Sequence, residues 1–190
     1  GPAITALEAQ VVPRPLIDAF HARGVPVAQV YGATETGPVT LVLRPDEALA
    51  HVGSVGKPAL GVQVRLVNGE VQVRAPNLAR AYHRRPNDDA FAEGWFRSGD
   101  LAQVDADGFY EIVGRAKELI ISGGENIHPA EIENIALADA AVGEAAVVGL
   151  PDAQWGEVAV LAVVAHPGAV VDVARLQAVL AAQLARFKQP

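Results

Sequence analysis

Residues 31–37, Tyr-Gly-Ala-Thr-Glu-Thr-Gly, combine an aromatic ring, a carboxylate and two hydroxyls with flanking glycines. They follow an apolar run at 25–30 that predicts a buried strand. A loop at the end of a strand suits a ligand, because side chains project from a fixed point and glycine lets another backbone approach closely. A simple polar turn uses the same residue types, so this loop by itself leaves both interpretations open.

A second group of chemically capable residues lies within 94–133. It contains an acid after a Ser-Gly pair (Asp100), a Gly-Arg-Ala-Lys-Glu junction at 114–118, and a Ser-Gly-Gly loop at 122–124 that feeds a helix starting at Pro129. Each feature is common by itself, and an acid after glycine often only stabilises a turn. What these residues can do therefore depends on the elements that position them.

The clearest local element is a hairpin with one wet face, at 61–67 and 70–74, around Asn68-Gly69, the favoured two-residue turn. Its role is expected to be structural. If the strands near 101–104 and 109–113 also form a regular hairpin, they bring Asp100 and Arg115 to nearby ends of one sheet. Further predicted elements are a helix at 15–22, a helical turn at 86–91 and an extended segment at 95–98.

The pattern changes after Lys117, and we place a domain boundary near 115–118. Strand, helix, two strands and helix predict a small α+β unit. These elements are expected at 119–121, 129–138, 144–149, 157–165 and, after an Asp172 cap, as far as Ala185.

Composition excludes several classes of function. The net charge of −7 argues against nucleic acid as a main partner, because phosphate contacts need clustered Lys and Arg. The absence of cysteine excludes disulfides, thiolate metal sites and thiol nucleophiles. No apolar run approaches the roughly 20 residues that span a bilayer, and no signal peptide is visible, so a cytoplasmic location is predicted. Methionine is also absent, and we expect the chain to be part of a longer protein.

Taken in order, these motifs resemble the adenylate-forming enzymes, which comprise acyl- and aryl-CoA ligases, adenylation domains of peptide synthetases, and luciferases. The resemblance runs from about residue 14 to the end. It implies that residues 1–116 are the C-terminal, β-rich part of a large α/β AMP-binding domain, and that 117–190 are a small mobile α+β domain. Both domains are expected to be incomplete, because the family's phosphate-binding loop and adenylation lysine are missing. These 190 residues alone are therefore expected to form no adenylate and to release no pyrophosphate.

The family's reaction has two halves, and its cofactors are ATP, Mg²⁺ and CoA. A carboxylate attacks the α-phosphate of ATP to give an acyl-adenylate and pyrophosphate, and a thiol then displaces AMP. The resemblance implies that Tyr31 stacks on adenine within a nucleotide-binding loop that includes Gly32. Thr34 would bond the α-phosphate, and Glu35 would hold Mg²⁺. A tyrosine of the core and an ordinary exposed acid remain the alternatives for Tyr31 and Glu35.

Asp100 matches the family's acid that accepts from both ribose hydroxyls, and Arg115 matches the arginine on the ribose and phosphate side. Without the family, Asp100 would be a turn residue, and Arg115 would form a salt bridge to Glu111 or Glu118. Lys117 falls at the family's hinge, where the small domain rotates between the two half-reactions.

Residues Ser122, Gly123 and Gly124 match the loop that lines the pantetheine tunnel, where a Cβ would obstruct. Trp155 and Phe187 fall where some CoA ligases contact the CoA nucleotide. A tryptophan of the core and a phenylalanine at the end of a helix are the alternative interpretations, because they would give the same sequence pattern. We interpret His128 as a helix-start residue.

The leading hypothesis is an acid–CoA ligase, with a small carboxylic acid, ATP and CoA as partners. One alternative is a peptide-synthetase adenylation domain that loads a carrier protein, and another is a non-catalytic relative that acts as a binding module. The sequence leaves the acid and the oligomeric state open.

Overall fold

The computed structural model describes residues 5–7, 14–84 and 89–190. The chain divides into two compact units, Gly1–Ala116 and Lys117–Pro190.

The first unit is mostly strand. Its elements in chain order are β1 (Thr5–Leu7), α1 (Arg14–His21), β2 (Val27–Ala33), β3 (Gly37–Val42), β4 (Lys57–Pro58), β5 (Gln63–Val67), β6 (Glu70–Arg74), β7 (Phe91–Ala92), β8 (Trp95–Val104) and β9 (Tyr110–Arg115).

These strands form two sheets. In the first, the order is β1-β2-β3-β4, with a parallel β1–β2 pair and antiparallel pairs elsewhere. In the second, β5, β6 and β8 are neighbours, and both β7 and β9 pair with β8. Buried apolar residues sit under both sheets, with Ile17 of α1 against Val27 in one cluster and Val71, Val73 and Ala102 in another.

The predicted Asn68-Gly69 hairpin is confirmed as β5–β6. Both turn residues have positive φ, 53° and 82°, as a two-residue turn between twisted strands requires. The pairing of β8 with β9 is also as expected, because Asp100 lies opposite Arg115 in register.

The second unit is an antiparallel sheet of order β11-β10-β13-β12 with two helices packed on it. Its core combines buried residues of the strands and of both helices, including Ile127, Ile132, Val147 and Leu180. A 3-10 turn (Ala116–Glu118) spans the boundary between the units. The elements of the second unit are then β10 (Ile120–Ser122), β11 (Glu125–Ile127), α2 (Pro129–Leu137), β12 (Val142–Asp152), β13 (Gly156–Ala165), α3 (Val173–Gln183) and a last 3-10 turn (Arg186–Lys188). Asp172 caps α3 as predicted, since its carboxylate accepts from the Arg175 N–H at 3.0 Å.

Three expectations need correction. The strand predicted at 25–30 starts at Val27 and continues to Ala33, so Tyr31 and Gly32 belong to the strand and not to a loop. The Gly-Gly pair does not feed a helix directly, because strand β11 intervenes before Pro129. In the helical turn expected at 86–91, residues 86–88 lie outside the described residues, and Phe91 is in a strand that pairs with β8.

Within the described ranges, no helix is long and apolar enough to cross a membrane.

Candidate functional site

The acidic turn, residues 34–36, joins β2 to β3, and the pair Ala33–Gly37 closes it. The strand register shifts between Tyr31 and Ala33, around Gly32. A Cβ on Gly32 would stand 2.4 Å from the Gly37 carbonyl oxygen and 2.6 Å from the Pro38 carbonyl. Those atoms are backbone and cannot move aside cheaply, so the turn requires glycine at this position.

Two buried threonines, Thr36 and Thr40, stabilise the acidic turn. The Thr36 hydroxyl accepts from the Ala33 N–H at 3.0 Å and from the Thr40 hydroxyl at 2.8 Å, and both threonine side chains are buried. Because buried polar atoms are costly unless bonded, this pair fixes the turn in one conformation. The two residues before Thr36 are thereby presented outward, with Thr34 exposed and Glu35 half-buried.

Asp100 is aimed by an irregularity in β8. Across the β6–β8 pair, Glu70 lies opposite Leu101 and Gln72 opposite Arg97, so residues 98–100 bulge out of the ladder. The Ser98 hydroxyl donates to the Val71 carbonyl at 2.8 Å and accepts from the Asp100 N–H at 3.0 Å, which fixes the bulge. Bulges of this kind re-aim a side chain, and they are common beside active sites.

The carboxylate cluster consists of Tyr31, Asp100 and Arg115. The Tyr31 hydroxyl donates to Asp100 Oδ2 at 2.6 Å, and Arg115 Nε donates to Oδ1 at 2.9 Å. The Asp100 side chain is 11% exposed, whereas that of Arg115 is 58% exposed. A nearly buried carboxylate is thus held in place from both sides, and its salt bridge goes to the arginine of the next strand.

Burial raises the pKa of Tyr31 well above its usual value, and the nearby charge and hydrogen bond of Asp100 raise it further. Tyr31 therefore stays a neutral donor at physiological pH. An ionised carboxylate has about four lone-pair sites, and the two bonds occupy one on each oxygen. The remaining sites can accept from a pair of neighbouring hydroxyl groups. Since Arg115 lies mostly in water, its guanidinium is also accessible to an anionic ligand.

Glu35 is a suitable carboxylate for Mg²⁺. Its Oε1 accepts from the Tyr82 hydroxyl at 2.5 Å, and no bond to Oε2 comes from residues 14–84 or 89–190. Across those same residues, no group of three or more His, Cys, Asp or Glu could hold a metal. Mg²⁺ usually binds through one or two carboxylates plus substrate phosphates and water, so a single half-buried carboxylate fits that ion when a polyphosphate supplies the other ligands.

The Gly-Gly turn of the second unit, Gly123 and Gly124, is the tip of the β10–β11 hairpin, closed by the pair Ser122–Glu125. Both glycines have positive φ, 59° and 88°. The Gly123 N–H donates to the Trp155 carbonyl at 2.7 Å, and a Cβ on Gly123 would stand 2.8 Å from the indole ring. Gly124 has nothing within 4 Å of its Cβ position, so it offers open backbone.

Trp155 lies at the tip of the β12–β13 hairpin and is 51% exposed. Asp152 fixes this tip, because its Oδ1 accepts from the N–H groups of Gln154 and Trp155, both at 2.8 Å. The structure thus brings Trp155 against the Gly-Gly turn. A core tryptophan, one of the interpretations left open by the sequence, is not what is observed.

Phe187 is 43% exposed, in the last 3-10 turn, and the described ring contacts do not pair it with Trp155. Its neighbour Lys188 forms a salt bridge to Glu131 of α2 at 2.7 Å. His128 is the N-cap residue of α2 and makes no side-chain cap bond, as expected for a helix-start residue. Lys117 is exposed in the 3-10 turn at the start of the second unit.

Sequence reasoning missed the residues that hold the site rather than form it. These are Thr36, Thr40, Ser98, Asn77 and Tyr82. The spacing of Thr36, in the turn, and Thr40, in β3, was visible, but a hydroxyl pair becomes meaningful only when both side chains are buried. The partners of Tyr82 and Asn77 lie more than 40 positions away along the chain, at separations of 47 and 41. No local pattern signals such contacts.

Two sequence-family models match the chain. The model of the AMP-binding enzyme matches residues 4–83, and that of the AMP-binding enzyme C-terminal domain matches residues 131–190. An indoleacetate–CoA ligase of Aromatoleum aromaticum is 41% identical over 193 residues, which cover 95% of this chain and 38% of the relative. The chain therefore spans about two fifths of the length of such relatives.

Solved structures match over nearly the whole chain. The o-succinylbenzoate CoA synthetase of Bacillus subtilis, in complex with its acyl-adenylate intermediate, has a TM-score of 0.92 and 35% identity, covering 98% of this chain and 41% of that one. The same enzyme with ATP and magnesium ion has a TM-score of 0.90 and 34% identity, covering 99% and 41%. The expected fold, a strand-rich α/β part followed by an α+β unit, is confirmed as that of the C-terminal part of adenylate-forming enzymes.

Proposed function

The chain belongs to the AMP-binding enzyme family of adenylate-forming enzymes, and from that membership we propose that the protein is an ATP-dependent acid–CoA ligase. A carboxylate oxygen of the substrate attacks the α-phosphorus of ATP, and the bond to pyrophosphate breaks. The sulfur of CoA then attacks the acyl carbon of the adenylate. The bond to AMP breaks, and the thiol proton passes to solvent. The first half is needed because a carboxylate is a poor acyl donor until its oxygen becomes part of a phosphate leaving group.

The observation that carries this proposal is the carboxylate cluster. Asp100 keeps free lone pairs for two ribose hydroxyls while Tyr31 and Arg115 hold its orientation, so the nucleotide meets a preorganised acceptor. The Tyr31 ring supplies a flat surface for adenine at little cost in rotamer entropy. Arg115, the third residue of the cluster, balances the phosphate charge.

The acidic turn supplies the second part of the site. Thr34 is exposed and offers a hydroxyl to the α-phosphate, and Glu35 offers its carboxylate to Mg²⁺. Without a metal, a carboxylate and a phosphate of like charge about 4 Å apart would repel by about 4 kcal/mol near a protein surface. Mg²⁺, when bound, neutralises phosphate charge and orients the polyphosphate. Gly32 contributes by holding the turn closed.

The second unit is proposed to serve the CoA half of the reaction. Ser122, Gly123 and Gly124 present backbone that pantetheine can pass, and the exposed rings of Trp155 and Phe187 offer surfaces for the CoA nucleotide. Lys117 is proposed as the hinge between the two half-reactions. A few residues that absorb a large change of φ and ψ are sufficient for such a step.

The test is release of AMP by the full-length gene product, with and without CoA, across a panel of carboxylic acids. The panel starts with indoleacetate and 2-succinylbenzoate, because relatives carry those names. It then adds a medium-chain fatty acid and a dicarboxylic acid. Release that requires both one acid and CoA is expected, and we propose that it takes place in the cytoplasm.

Two other results would redirect the assignment. Acid-dependent exchange of pyrophosphate without any effect of CoA would indicate an adenylation domain that loads a carrier protein. If no acid of the panel causes AMP release, and calorimetry shows that the protein still binds ATP, the protein would be a non-catalytic binding module.

A further inference from the structure

The carboxylate of Glu35 is held by a residue far along the chain. The Tyr82 hydroxyl donates to Glu35 Oε1 with an oxygen–oxygen distance of 2.5 Å. Hydrogen bonds to an ionised acceptor are shorter and stronger than neutral ones. Both side chains are half-buried, so water competes only partly for this bond.

The bond is part of a larger support, the bracing segment, residues 77–82. The Asn77 side-chain amide donates to the Thr36 carbonyl at 2.8 Å, and the Ala79 N–H donates to the Glu35 carbonyl at 2.8 Å. Together with the Tyr82 hydroxyl, three donors from one short segment fix both the backbone and the side chain of the acidic turn. An exposed turn needs such support if its carboxylate is to keep one rotamer.

The Tyr82 ring is itself fixed. It meets the ring of Phe91 edge-on, with centroids 5.3 Å apart and planes at 72°, a preferred geometry for aromatic pairs. Phe91 in turn contacts Phe96, with centroids 5.1 Å apart. Phe96 is buried in β8, the strand that also carries Asp100. The Tyr82 hydroxyl that donates to Glu35 is therefore positioned through the rings of Phe91 and Phe96, which connect Tyr82 to the strand that carries Asp100.

We propose that Tyr82 is a positioning residue for the metal step. By occupying Oε1, its hydroxyl holds the Glu35 carboxylate in one orientation and leaves Oε2, which would hold Mg²⁺ when ATP is bound. This inference rests on the proposed function, in which Glu35 carries Mg²⁺. It predicts that Tyr82 affects the binding of Mg²⁺-ATP through Glu35 and does not affect the binding of AMP, which needs no metal.

The variant Tyr82→Phe keeps the ring and its contact with Phe91 and removes only the hydroxyl. The matched control is Tyr110→Phe in the same unit, since Tyr110 is also half-buried and its hydroxyl makes no bond within the described residues. Calorimetry on the full-length gene product would measure ATP affinity with and without Mg²⁺, and AMP affinity separately. Mn²⁺ binding in the presence of ATP, followed by electron paramagnetic resonance, gives a second readout that does not depend on turnover.

We expect Tyr82→Phe to reduce the gain in ATP affinity due to Mg²⁺ by about tenfold, the usual worth of one hydrogen bond to a charged group. Affinity for AMP should be unchanged. In a Glu35→Gln background, Tyr82→Phe should cause no further loss, because both substitutions remove the same interaction. Tyr110→Phe should change none of these quantities.

Two results would overturn the inference while leaving the proposed function intact. One is a Tyr82→Phe variant with a normal Mg²⁺ effect when Glu35→Gln has lost it. The other is an equal loss of AMP and Mg²⁺-ATP binding in Tyr82→Phe, which would indicate a purely structural role. A normal Mg²⁺ effect in Glu35→Gln would instead refute the assignment of the metal carboxylate, and the inference about Tyr82 would be refuted with it.

Discussion

The two units of this chain offer a ligand opposite kinds of surface. The proposed nucleotide site of the first unit is made of side chains, each held by a partner: Asp100 by Tyr31 and Arg115, and Glu35 by Tyr82. The Gly-Gly turn of the second unit offers backbone with no side chain at all, beside the exposed ring of Trp155. A site that recognises hydroxyls and phosphates needs polar side chains in fixed positions. A passage for a narrow group such as pantetheine instead needs a backbone without side chains that would obstruct it.

This contrast leads to different expectations for substitution. Loss of a side chain should damage the first site, and gain of a side chain should damage the second. The following experiments on the full-length gene product test that contrast, in order of decreasing effect.

The largest effect is expected for Asp100→Asn. The amide keeps the shape of the carboxylate but loses its charge and one of its accepting oxygens, and two charge-assisted bonds to ribose weaken together. If each weakened bond costs about 1.4 kcal/mol, which corresponds to a tenfold change in affinity, the affinity for AMP should fall about a hundredfold. Calorimetric titration with AMP measures this directly. Glu111→Gln is the control, because it makes the same charge change on the next strand, outside the cluster. Similar losses in both variants would mean that net charge, and not the cluster, governs binding.

A smaller loss is expected for Arg115→Gln. Asp100 would keep its bond to Tyr31 and lose the salt bridge, and the phosphate would lose a cation. Because Arg115 is largely in solvent, we expect about tenfold weaker AMP binding with little change in stability. Arg97→Gln is the matched control, since Arg97 is similarly exposed and pairs with Glu70 at 3.1 Å on the same sheet. AMP affinity that is unaffected in Arg115→Gln would remove that residue from the site.

The second unit is tested by Gly124→Asn. Asparagine tolerates the positive φ of 88°, so the turn should persist with a new side chain at its open tip. We expect acid-dependent pyrophosphate exchange to stay normal and the CoA-dependent step to slow severalfold or more, as rapid-quench kinetics would measure. Gly168→Asn is the control, because Gly168 also has a positive φ and nothing within 4 Å of its Cβ position. Equal slowing of both half-reactions by Gly124→Asn would contradict the assignment of this turn to the CoA step.

The smallest effect concerns acid stability of the second unit. Burial lowers the pKa of His128 below its unfolded value of 6.5, and the nearby Lys188 also lowers it, although Glu131 opposes this shift. A depressed histidine pKa means that the folded state resists protonation. The contribution of neutral His128 to the stability of the second unit is thus fully present above pH 6.5. It is lost as the pH falls from there through the folded-state pKa of His128.

We therefore expect the thermal midpoint of the second unit to fall by a few degrees between neutral pH and about pH 5, and to fall less in His128→Gln. Differential scanning calorimetry over this range would measure both. A midpoint of the wild-type protein that does not change would show that His128 is protonated equally in the folded and unfolded states.

The sequence was most informative where the determinant is local. Asn68-Gly69 predicted its hairpin because two adjacent residues must both adopt positive φ, and Asp172 predicted its cap because the bond closes within three residues. The position of Asp100 opposite Arg115 was also accessible, since it follows from one short hairpin. The strand β11 was missed because its three residues carry too weak a pattern to be recognised.

By itself, then, the sequence determined the family, most of the elements and the residue types at the proposed nucleotide site. Only the tertiary structure decided which of these side chains are fixed by hydrogen bonds and which residues are their partners. The Tyr31–Asp100 bond joins residues 69 positions apart, and Tyr82 reaches Glu35 across 47. It also decided that Gly123 is covered by Trp155 whereas Gly124 is open. Such contacts depend on how sheets and hairpin tips pack, and packing depends on all the residues of a unit together rather than on any local pattern.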